Sequence, residues 1–331
     1  MKLLVFEYIN GGGCAGDEIS ASLQQEGALM LQTLLNELKP LQDVQLTLTL
    51  DRRCHSIDLP EGCEVFWVDE TTDLLDCLQS LLLKCDAFWP IAPENDGILT
   101  ELAGLAEKCQ VSLLLSNAST VALCSDKKAT YQALLEASLP VVETRSLLDC
   151  LQFFPFEKVV VKPIDGVGCV DSRLFVESKS YLEWVRSLQN PQAYVVQPFI
   201  TGVAKSWSAL FNAGQAWLLT CNRQHVVISD QGFSLQACQV NVDRPWPNHY
   251  LAIIDEVALA LPGLWGYVGI DFIDTESQGP MILEINPRLT TSYVGLGRAM
   301  AMNVAEQVLA LCHSKPSLPQ TSSDSFLVSI L

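Results

Sequence analysis

Oxygen-bearing side chains on two neighbouring apolar segments are the strongest indication of chemistry in this sequence. Asp271 interrupts the apolar run 267–273, and Glu284 and Asn286 lie in the run 281–286. If both runs are strands of one hairpin, Glu284 and Asn286 share a face and Asp271 lies beside them. Carboxylate and amide oxygens are the ligands that Mg²⁺ prefers, so we predict that these three residues bind Mg²⁺, with Mn²⁺ as a substitute.

The alternative is an ordinary hairpin whose carboxylates face the solvent. The rest of both runs is apolar, however, and an unpaired buried carboxylate is unfavourable. Either a metal ion or Arg288, two residues beyond Asn286, would remove that cost. We favour the metal, because such perturbed acidic groups are concentrated at functional sites.

Two further segments combine lysine with features that favour bound phosphate. In the first, Lys162 ends the apolar run 159–161, and Gly166 and Gly168 follow in the next loop. Glycine lets backbone N–H groups approach phosphate oxygens, and lysine adds a positive charge. In the second, Lys127 lies in the first turn of a predicted helix, where the helix dipole disfavours a cation unless an anion is bound nearby. The alternatives are a solvent-facing lysine at a strand end and an ordinary solvated helix face.

The overall charge restricts the classes of partner. The 331 residues include 20 Lys and Arg against 38 Asp and Glu, which gives a net charge of -18. A surface this acidic repels nucleic acid and anionic membranes, so we exclude both as partners. The sequence has no run of uncharged apolar residues long enough for a transmembrane helix.

The twelve cysteines are scattered between Cys14 and Cys312 without a C-x-x-C pair, and none of the four histidines is spaced to share a metal with one of them. A zinc site is therefore not expected. A secreted disulfide-rich domain would be shorter and denser in cysteine. We interpret these residues as reduced, mostly buried thiols of a cytoplasmic protein.

Strand and helix patterns alternate along the first third of the chain. The predicted strands lie at 2–6, 44–50, 63–68, 86–91 and 111–115. The segments between them include helical patterns at 19–38, 71–83 and 97–108. This alternation is typical of an α/β domain with a parallel sheet covered on both faces, which we assign to residues 1–118.

The remaining sequence is predicted to be of mixed α+β type. A helix should open at Ser125–Asp126 and run to about residue 137, and strands dominate residues 203–290. The polar segment 314–325 is a predicted linker before a last strand at 326–331. The glycine triplet in the loop 9–13 lacks the spacing of a dinucleotide fingerprint, so we interpret it as a flexible turn that could cover a substrate.

Four segments, in their order along the chain, resemble the ATP-grasp superfamily. They are the helix start with Lys127, the loop from Lys162 to Gly168, the segment 193–202 (AYVVQPFITG), and the segments with the acidic pair Asp271 and Glu284 and with Asn286. The resemblance spans residues 119–300, and the first domain resembles the superfamily's usual N-terminal domain. It implies an ATP-grasp fold in which ATP is held between two α+β lobes. We expect the smaller lobe at residues 119–197 and the larger one, with the metal site, at 198–331.

The resemblance also assigns roles to the matching residues. The acidic pair and Asn286 match the metal ligands, and Arg288 matches a catalytic arginine that steadies the reacting oxyanion. The implied ATP contacts are Lys127, Lys162, Gly166, Gly168, Gln197, Pro198, Phe199, Ile200 and Arg223. Of these, Lys162 is also expected to act in catalysis. The sequence departs from the superfamily at Ala204, where many relatives carry a ribose-binding glutamate, so the ribose contact is not assigned.

The resemblance extends to the tyramine–L-glutamate ligase branch of methanofuran biosynthesis, on the segments 6–8, 26–30, 221–224 and 284–296. It implies that the γ-carboxylate of glutamate is activated by ATP as an acyl phosphate and joined to tyramine, tyrosine or a similar amine. Three alternatives stay open. They are another ATP-grasp amino-acid or peptide ligase, a carboxylase that uses bicarbonate, and a non-catalytic nucleotide-binding module.

No motif marks the residues that would select the carboxylate and amine substrates. Glu7, the 10–13 loop, Arg145, Arg173 and Tyr293 are candidates, and a structural role is the alternative for each. The positive mean hydropathy (+0.24) at a net charge of -18, together with the family resemblance, leads us to expect a homodimer.

Overall fold

A parallel sheet of five strands forms the first part of the molecule. The computed structural model describes residues 1–54, 56–229, 232–319 and 325–329. The strand order is β3-β2-β1-β4-β5, and every neighbouring pair is parallel. The elements of this part are β1 (Lys2–Glu7), α1 (Ala21–Leu38), β2 (Gln45–Asp51), β3 (Glu64–Val68), α2 (Leu74–Leu82), β4 (Ala87–Ile91), α3 (Ile98–Lys108) and β5 (Ser112–Leu113).

Both faces of this sheet are buried, as the continuous apolar runs of its strands predict. Alternate side chains of β1 point to opposite faces, so Leu3 and Val5 join the core that contains α1. Leu4 and Phe6 join the core that contains α2 and α3. The predicted α/β architecture with a parallel sheet is therefore confirmed for the first part of the chain.

The glycine triplet after β1 forms a packed turn, which corrects the prediction of a flexible one. Gly12 has a left-handed φ of +104°, and a Cβ added there would overlap Val68 Cγ1. Beside it, Asn10 is fully buried, and its backbone and side-chain N–H groups both donate to the Glu7 carboxylate. The turn therefore closes the carboxyl end of β1 and has no room to move as a lid.

Substitution of Gly12 by alanine should destabilise the protein by roughly 1–3 kcal/mol, because the new Cβ overlaps Val68 and strains a left-handed backbone. Urea unfolding followed by circular dichroism measures the change. Gly104→Ala is the matched control, since Gly104 lies inside α3 with nothing in the described structure within 4 Å of an added Cβ. The control should be stabilised by about 0.5–1 kcal/mol, and equal destabilisation of both variants would contradict the packed turn.

A small antiparallel sheet of order β6-β9-β7-β8 follows in the chain. Its elements are α4 (Ala118–Ser125), α5 (Lys127–Glu136), β6 (Arg145–Ser146), β7 (Val159–Pro163), β8 (Arg173–Phe175), α6 (Ser178–Ser187) and β9 (Tyr194–Pro198). Val159 and Val161 pack against α6 on one face. Alternation along the strand therefore turns Lys162 to the other face, together with Gln197, the neighbour of Val160 on β9.

The helix predicted near residues 125–137 is present as α5. The Asp126 carboxylate caps it by accepting hydrogen bonds from the N–H groups of Lys128 and Ala129. This cap places Lys127 in the first helical turn, as the sequence predicts.

Six antiparallel strands form a second large sheet, of order β14-β13-β10-β11-β12-β15. The elements are β10 (Val203–Asn212), β11 (Gln215–Ser229), β12 (Gly232–Val240), α7 (Asn248–Ala260), β13 (Gly266–Thr275), β14 (Gly279–Asn286), α8 (Tyr293–Met300), α9 (Val304–Ala310) and β15 (Phe326–Ser329). The predicted last strand is thus present as β15, while residues 330–331 and part of the predicted linker (320–324) lie outside the described residues.

Helices cover the large sheet in two places. On one face, α7 shares a core with β10 and β13. The helices α8 and α9, which the sequence patterns did not predict, share the core of α1 and the parallel sheet. This shared core joins the C-terminal part of the chain to the first part. In the described part of the chain, no helix has both the length and the apolar character needed to cross a membrane.

Candidate active site

The predicted hairpin brings Asp271, Glu284 and Asn286 together. β13 and β14 are antiparallel, with Asp271 directly opposite Glu284, and a bulge follows Asp271. Residues directly opposite each other share a face of the sheet, and the Asn286 side-chain amide donates to Asp271 Oδ2 at 3.5 Å. All three side chains are half-buried. The predicted metal ligands therefore form one cluster on one face of the large sheet.

The two carboxyl groups of this cluster differ in their electrostatics. Burial and the charge of Glu284 raise the pKa of the Asp271 carboxyl well above its usual range. Burial would also raise the pKa of Glu284, but the charges of Lys127, Lys162 and Arg288 and a hydrogen bond with Asp271 together lower that pKa. Glu284 therefore carries the negative charge of the pair, and a bound dication would favour ionisation of both carboxyls.

Lys127 and Lys162 approach the acidic cluster from two other elements. Lys127, at the start of α5, lies 3.5 Å from Glu284 Oε2 and donates to the carbonyl of Gly166 at 2.6 Å. Burial lowers the pKa of the ammonium group of Lys162, on β7. Lys162 also lies close to Glu284 and Asp271, whose negative charges oppose this decrease. Because burial disfavours a cation without a counter-charge, both lysines suit a negatively charged ligand.

A cleft of about 400 Å³ lies between the small sheet and the large sheet. Eight of the nine predicted ATP contacts line it, namely Lys127, Lys162, Gly166, Gln197, Pro198, Phe199, Ile200 and Arg223. Gln197 is fixed in the wall because its buried side-chain amide donates to Thr144 Oγ1 at 2.9 Å. Apolar neighbours such as Val160 and Ile273 suit the flat surface of a base. Asp271 and Glu284 line the same cleft, so a nucleotide and a metal would meet there.

Two of the predicted ATP contacts, Gly168 and Arg223, are exposed and lie outside or at the border of the cleft. Gly168 is exposed in its loop, with a left-handed φ of +61°, and does not line the cleft. Arg223 borders the cleft but is exposed, and it lies directly opposite Lys205 on β10. Because side chains alternate along a strand, this pair lies on the face of the sheet away from Asp271. The next residue, Gln224, lies on the same face as Asp271 and donates a hydrogen bond to it. Contacts of Gly168 and Arg223 with phosphate stay predictions.

Arg288 lies beside the cleft and is held across the junction with the first part of the chain. Its Nε donates to Glu94 Oε2 at 2.8 Å, and its Nη1 donates to the Leu289 carbonyl at 3.1 Å. Glu94 follows β4, and its side chain is only 4% exposed. Burial would lower the pKa of the Arg288 guanidinium, but the charge of Glu94 raises it. The guanidinium is therefore charged and fixed in orientation next to the acidic cluster.

Sequence reasoning missed three residues around this site. Gln224 donates to Asp271 Oδ1 at 2.9 Å, and Ser206 lies opposite Asp271 on β10. The alternation of polar residues along β11 could have identified Gln224. Glu94 could not have been found in this way, because it follows β4, 194 residues before Arg288, and no local pattern connects the two.

The residues named from sequence as candidate substrate contacts are engaged elsewhere. Tyr293 is fully buried and donates to Glu37 Oε2 at 2.5 Å, which ties α8 to α1. Glu7 accepts hydrogen bonds within its own turn. The guanidinium carbons of Arg145 and Arg173 lie 4.7 Å and 5.6 Å from aromatic ring centroids. Their contacts favour the structural alternative for all four residues.

Replacement of Lys162 by methionine should raise the KM for ATP by about tenfold or more, because a charge-assisted phosphate contact is lost. The thermal midpoint of the free protein should not fall, since burial disfavours the lysine charge. Steady-state kinetics with varied ATP measures the first effect and calorimetry the second. Lys179→Met, on the exposed side of α6, is the control. An unchanged KM in the Lys162 variant would remove Lys162 from the nucleotide site.

The donor set of the acidic cluster fits a hard divalent cation. It offers two carboxylates and one amide oxygen, the oxygen ligands that Mg²⁺ takes, and phosphates with water would complete the octahedron. No group of three or more His, Cys, Asp and Glu that could hold a metal alone is found within the described ranges. A site of this kind depends on its nucleotide. The assignment of Asp271, Glu284 and Asn286 as metal ligands stays a prediction.

Comparison with known families identifies the class of the protein. The ATP-grasp domain family matches residues 124–292, and the pre ATP-grasp 3 domain matches residues 44–121. The chain therefore belongs to the ATP-grasp family, and its class is that of ATP-binding ligases. The matched ranges include the cleft, both lysines, the acidic cluster and Arg288.

The chain is similar in sequence to two individual ligases and in structure to a third protein. The chain is 27% identical over 296 residues to the tyramine–L-glutamate ligase of Methanocaldococcus fervens, covering 89% of both chains. It is 29% identical over 296 residues to the tyramine–L-glutamate ligase of Methanocaldococcus jannaschii, covering 89% of this chain and 84% of the relative. A crystal structure of an ATP-grasp superfamily protein from Archaeoglobus fulgidus superposes with a TM-score of 0.70 at 23% identity, covering 99% of both chains. This last likeness shows the fold.

Proposed function

We propose that this protein is an ATP-dependent carboxylate–amine ligase that joins the γ-carboxylate of glutamate to tyramine, tyrosine or a similar amine, in methanofuran biosynthesis. The observation that carries the proposal is the meeting of Asp271, Glu284, Lys127 and Lys162 in one cleft. Opposite charges arranged in this way suit Mg-ATP, and the similarity to two tyramine–L-glutamate ligases supports the choice of substrates.

The reaction begins with an in-line attack of a carboxylate oxygen of the donor on the γ-phosphorus of ATP. The bond from that phosphorus to the bridging oxygen breaks, so ADP leaves and an acyl phosphate forms. Lys127 and Lys162 balance the negative charge of the phosphates during this step. Mg²⁺ held by the acidic cluster would supply further positive charge to the phosphate oxygens.

The second step is attack of the neutral amine nitrogen on the acyl carbon. The carbon–oxygen bond to phosphate then breaks, the amine loses a proton, and an amide and inorganic phosphate are formed. We assign to Arg288 the stabilisation of the negative oxygen of the tetrahedral intermediate. The hydrogen bonds that fix its guanidinium, to Glu94 and to the Leu289 carbonyl, support this role.

Water must be kept from the acyl phosphate, which it would hydrolyse. The loop that follows β7 is the candidate cover, because its Gly166 carbonyl accepts from Lys127 at the cleft. On the other side of this loop, Asp165 Oδ2 accepts a hydrogen bond of 2.8 Å from the Asp96 N–H in the first part of the chain. This second contact would hold the loop closed over the bound phosphates.

Release of ADP from Mg-ATP in the presence of glutamate and a panel of amines, led by tyramine and tyrosine, tests the proposal. ADP release that requires both substrates, with a product mass equal to their sum less water, is the expected result. ADP release that depends on bicarbonate alone would support a carboxylase instead. Tight Mg-ATP binding without turnover on any carboxylate and amine would support a non-catalytic nucleotide-binding module.

We also propose where this enzyme is located in the cell and how it assembles. All twelve cysteines lie in the described part of the chain as free thiols, which supports our proposal of a cytoplasmic enzyme. A homodimer is proposed as the assembly, and sedimentation measures it.

A further inference from the structure

We propose that Glu94, beside Arg288, receives the ammonium group of a substrate. The inference rests on the proposed function, since it identifies the part of that site which binds a nitrogen-bearing substrate. It concerns the junction between the parallel sheet and the large sheet, a region outside the ATP cleft.

The position of Glu94 in the fold is one where ligands are commonly bound. Glu94 follows β4 at the carboxyl edge of the parallel sheet. The strand order β3-β2-β1-β4-β5 reverses direction between β1 and β4, so the crevice at their carboxyl ends is the expected ligand position in such a sheet. Arg288 extends into this crevice from the loop after β14 and contacts Glu94 there. The residues of the acidic cluster lie on β14 and on its neighbour β13.

The two oxygens of the Glu94 carboxylate have different surroundings. Oε2 accepts the hydrogen bond from Arg288 Nε at 2.8 Å. Oε1 is buried and has no hydrogen-bond partner among the residues that the structure describes. A buried carboxylate oxygen without a donor is unfavourable, so a donor from a bound molecule is expected at Oε1.

The charges around Arg288 favour a cationic donor over water. A second carboxylate, that of Glu26, lies near the segment that carries Arg288. Glu26 accepts a hydrogen bond from Thr291 Oγ1. Two carboxylates, Glu94 and Glu26, therefore contact the segment 288–291, in which Arg288 carries the one positive charge. A water molecule would satisfy Oε1 but would leave the excess negative charge, whereas an ammonium group satisfies both.

Two substrates of the proposed reaction carry such a group, namely glutamate through its α-ammonium and tyramine through its amine. Each has an analogue without nitrogen, glutarate for glutamate and 4-ethylphenol for tyramine. Titration calorimetry with Mg²⁺ and a non-hydrolysable ATP analogue present compares the two members of each pair. The wild-type protein should bind the ammonium-bearing member of one pair at least tenfold more tightly, and that pair identifies the substrate.

The test variant is Glu94→Gln, which keeps the side-chain size and an acceptor for Arg288 but places an amide where the second oxygen was. It should lose the tenfold preference, while Glu101→Gln, on the exposed side of α3, should keep it. If Glu94→Gln does not fold, Glu26→Gln decides, since this half-buried residue supplies the second charge and its loss should lower the preference about threefold. A preference in Glu94→Gln as large as that of the wild-type protein, an undiminished preference in Glu26→Gln where that variant decides, or no preference in the wild-type protein would overturn the proposal.

Calorimetry separates this inference from the proposed function, because binding is measured without turnover. Absence of ADP release would contradict the ligase reaction alone, whatever Glu94 binds. A normal ligase reaction with an unchanged ammonium preference in Glu94→Gln would contradict the ammonium site alone.

Discussion

Substitution of Glu284 by glutamine should lower turnover by about 100-fold or more, which corresponds to a loss of ~3 kcal/mol of transition-state stabilisation. Glu284 is the charged member of the acidic cluster, and Lys127 lies 3.5 Å from its Oε2. Glutamine keeps the shape and removes the charge, so it weakens a metal ligand and leaves Lys127 without its counter-charge. ADP release at varied Mg²⁺ concentration is the measurement, and the variant should require more Mg²⁺ than the wild-type protein.

Glu276 provides a control in the same hairpin. It is exposed in the turn between β13 and β14, so Glu276→Gln removes one negative charge without touching the cleft. This control should have normal turnover and a normal Mg²⁺ requirement. If Glu284→Gln behaves like the control in both respects, the acidic cluster is not the metal site.

Substitution of Arg288 by alanine should lower turnover by about 100-fold or more and should also destabilise the protein. The loss of activity follows from removal of the charge that faces the tetrahedral intermediate. The loss of stability follows because the Glu94 carboxylate, only 4% exposed, loses the partner of its buried ion pair. Removal of one member of a buried ion pair typically costs about 3–5 kcal/mol. Steady-state kinetics and urea unfolding measure the two effects.

A double substitution separates the two effects of Arg288. Arg288→Met combined with Glu94→Leu replaces the buried ion pair by apolar side chains, which is often neutral or stabilising. This variant should regain the stability of the wild-type protein and remain as inactive as Arg288→Ala. Recovery of turnover together with stability would show that Arg288 is structural and takes no part in the reaction.

The acidic cluster is the part of the site that the sequence predicts best. Asp271, Glu284 and Asn286 lie on two apolar strands joined by a short turn, so local alternation and hairpin pairing are enough to place them on one face. Alternation predicts the face of a side chain less well in longer strands whose pairing is irregular. Bulges interrupt the pairing of β11 with both of its neighbours, and a one-residue shift exchanges the faces of the strand. The family resemblance, rather than strand alternation, assigned Arg223, and its neighbour Gln224 is the residue that contacts Asp271.

Contacts between distant segments account for what the sequence did not predict. The pair of Glu94 and Arg288 joins the segment after β4 to the segment after β14, and no local pattern connects them. The short helices α8 and α9 are stabilised by packing against α1 and the parallel sheet, and Tyr293 in α8 bonds to Glu37 in α1. Helices this short depend on tertiary contacts more than on their own sequence. The packed glycine turn was missed for the same reason, since Val68 of β3 is what fills the space around it.

In the proposed reaction, a carboxylate is activated as an acyl phosphate before the amine attacks it. The most direct test is turnover of glutamate labelled with a heavy oxygen isotope in its γ-carboxylate, with Mg-ATP and tyramine, followed by mass spectrometry of the products. One labelled oxygen in the released phosphate and the other in the amide is the predicted result, because the attacking oxygen leaves with phosphorus. Amide formation with unlabelled phosphate would contradict the acyl-phosphate mechanism.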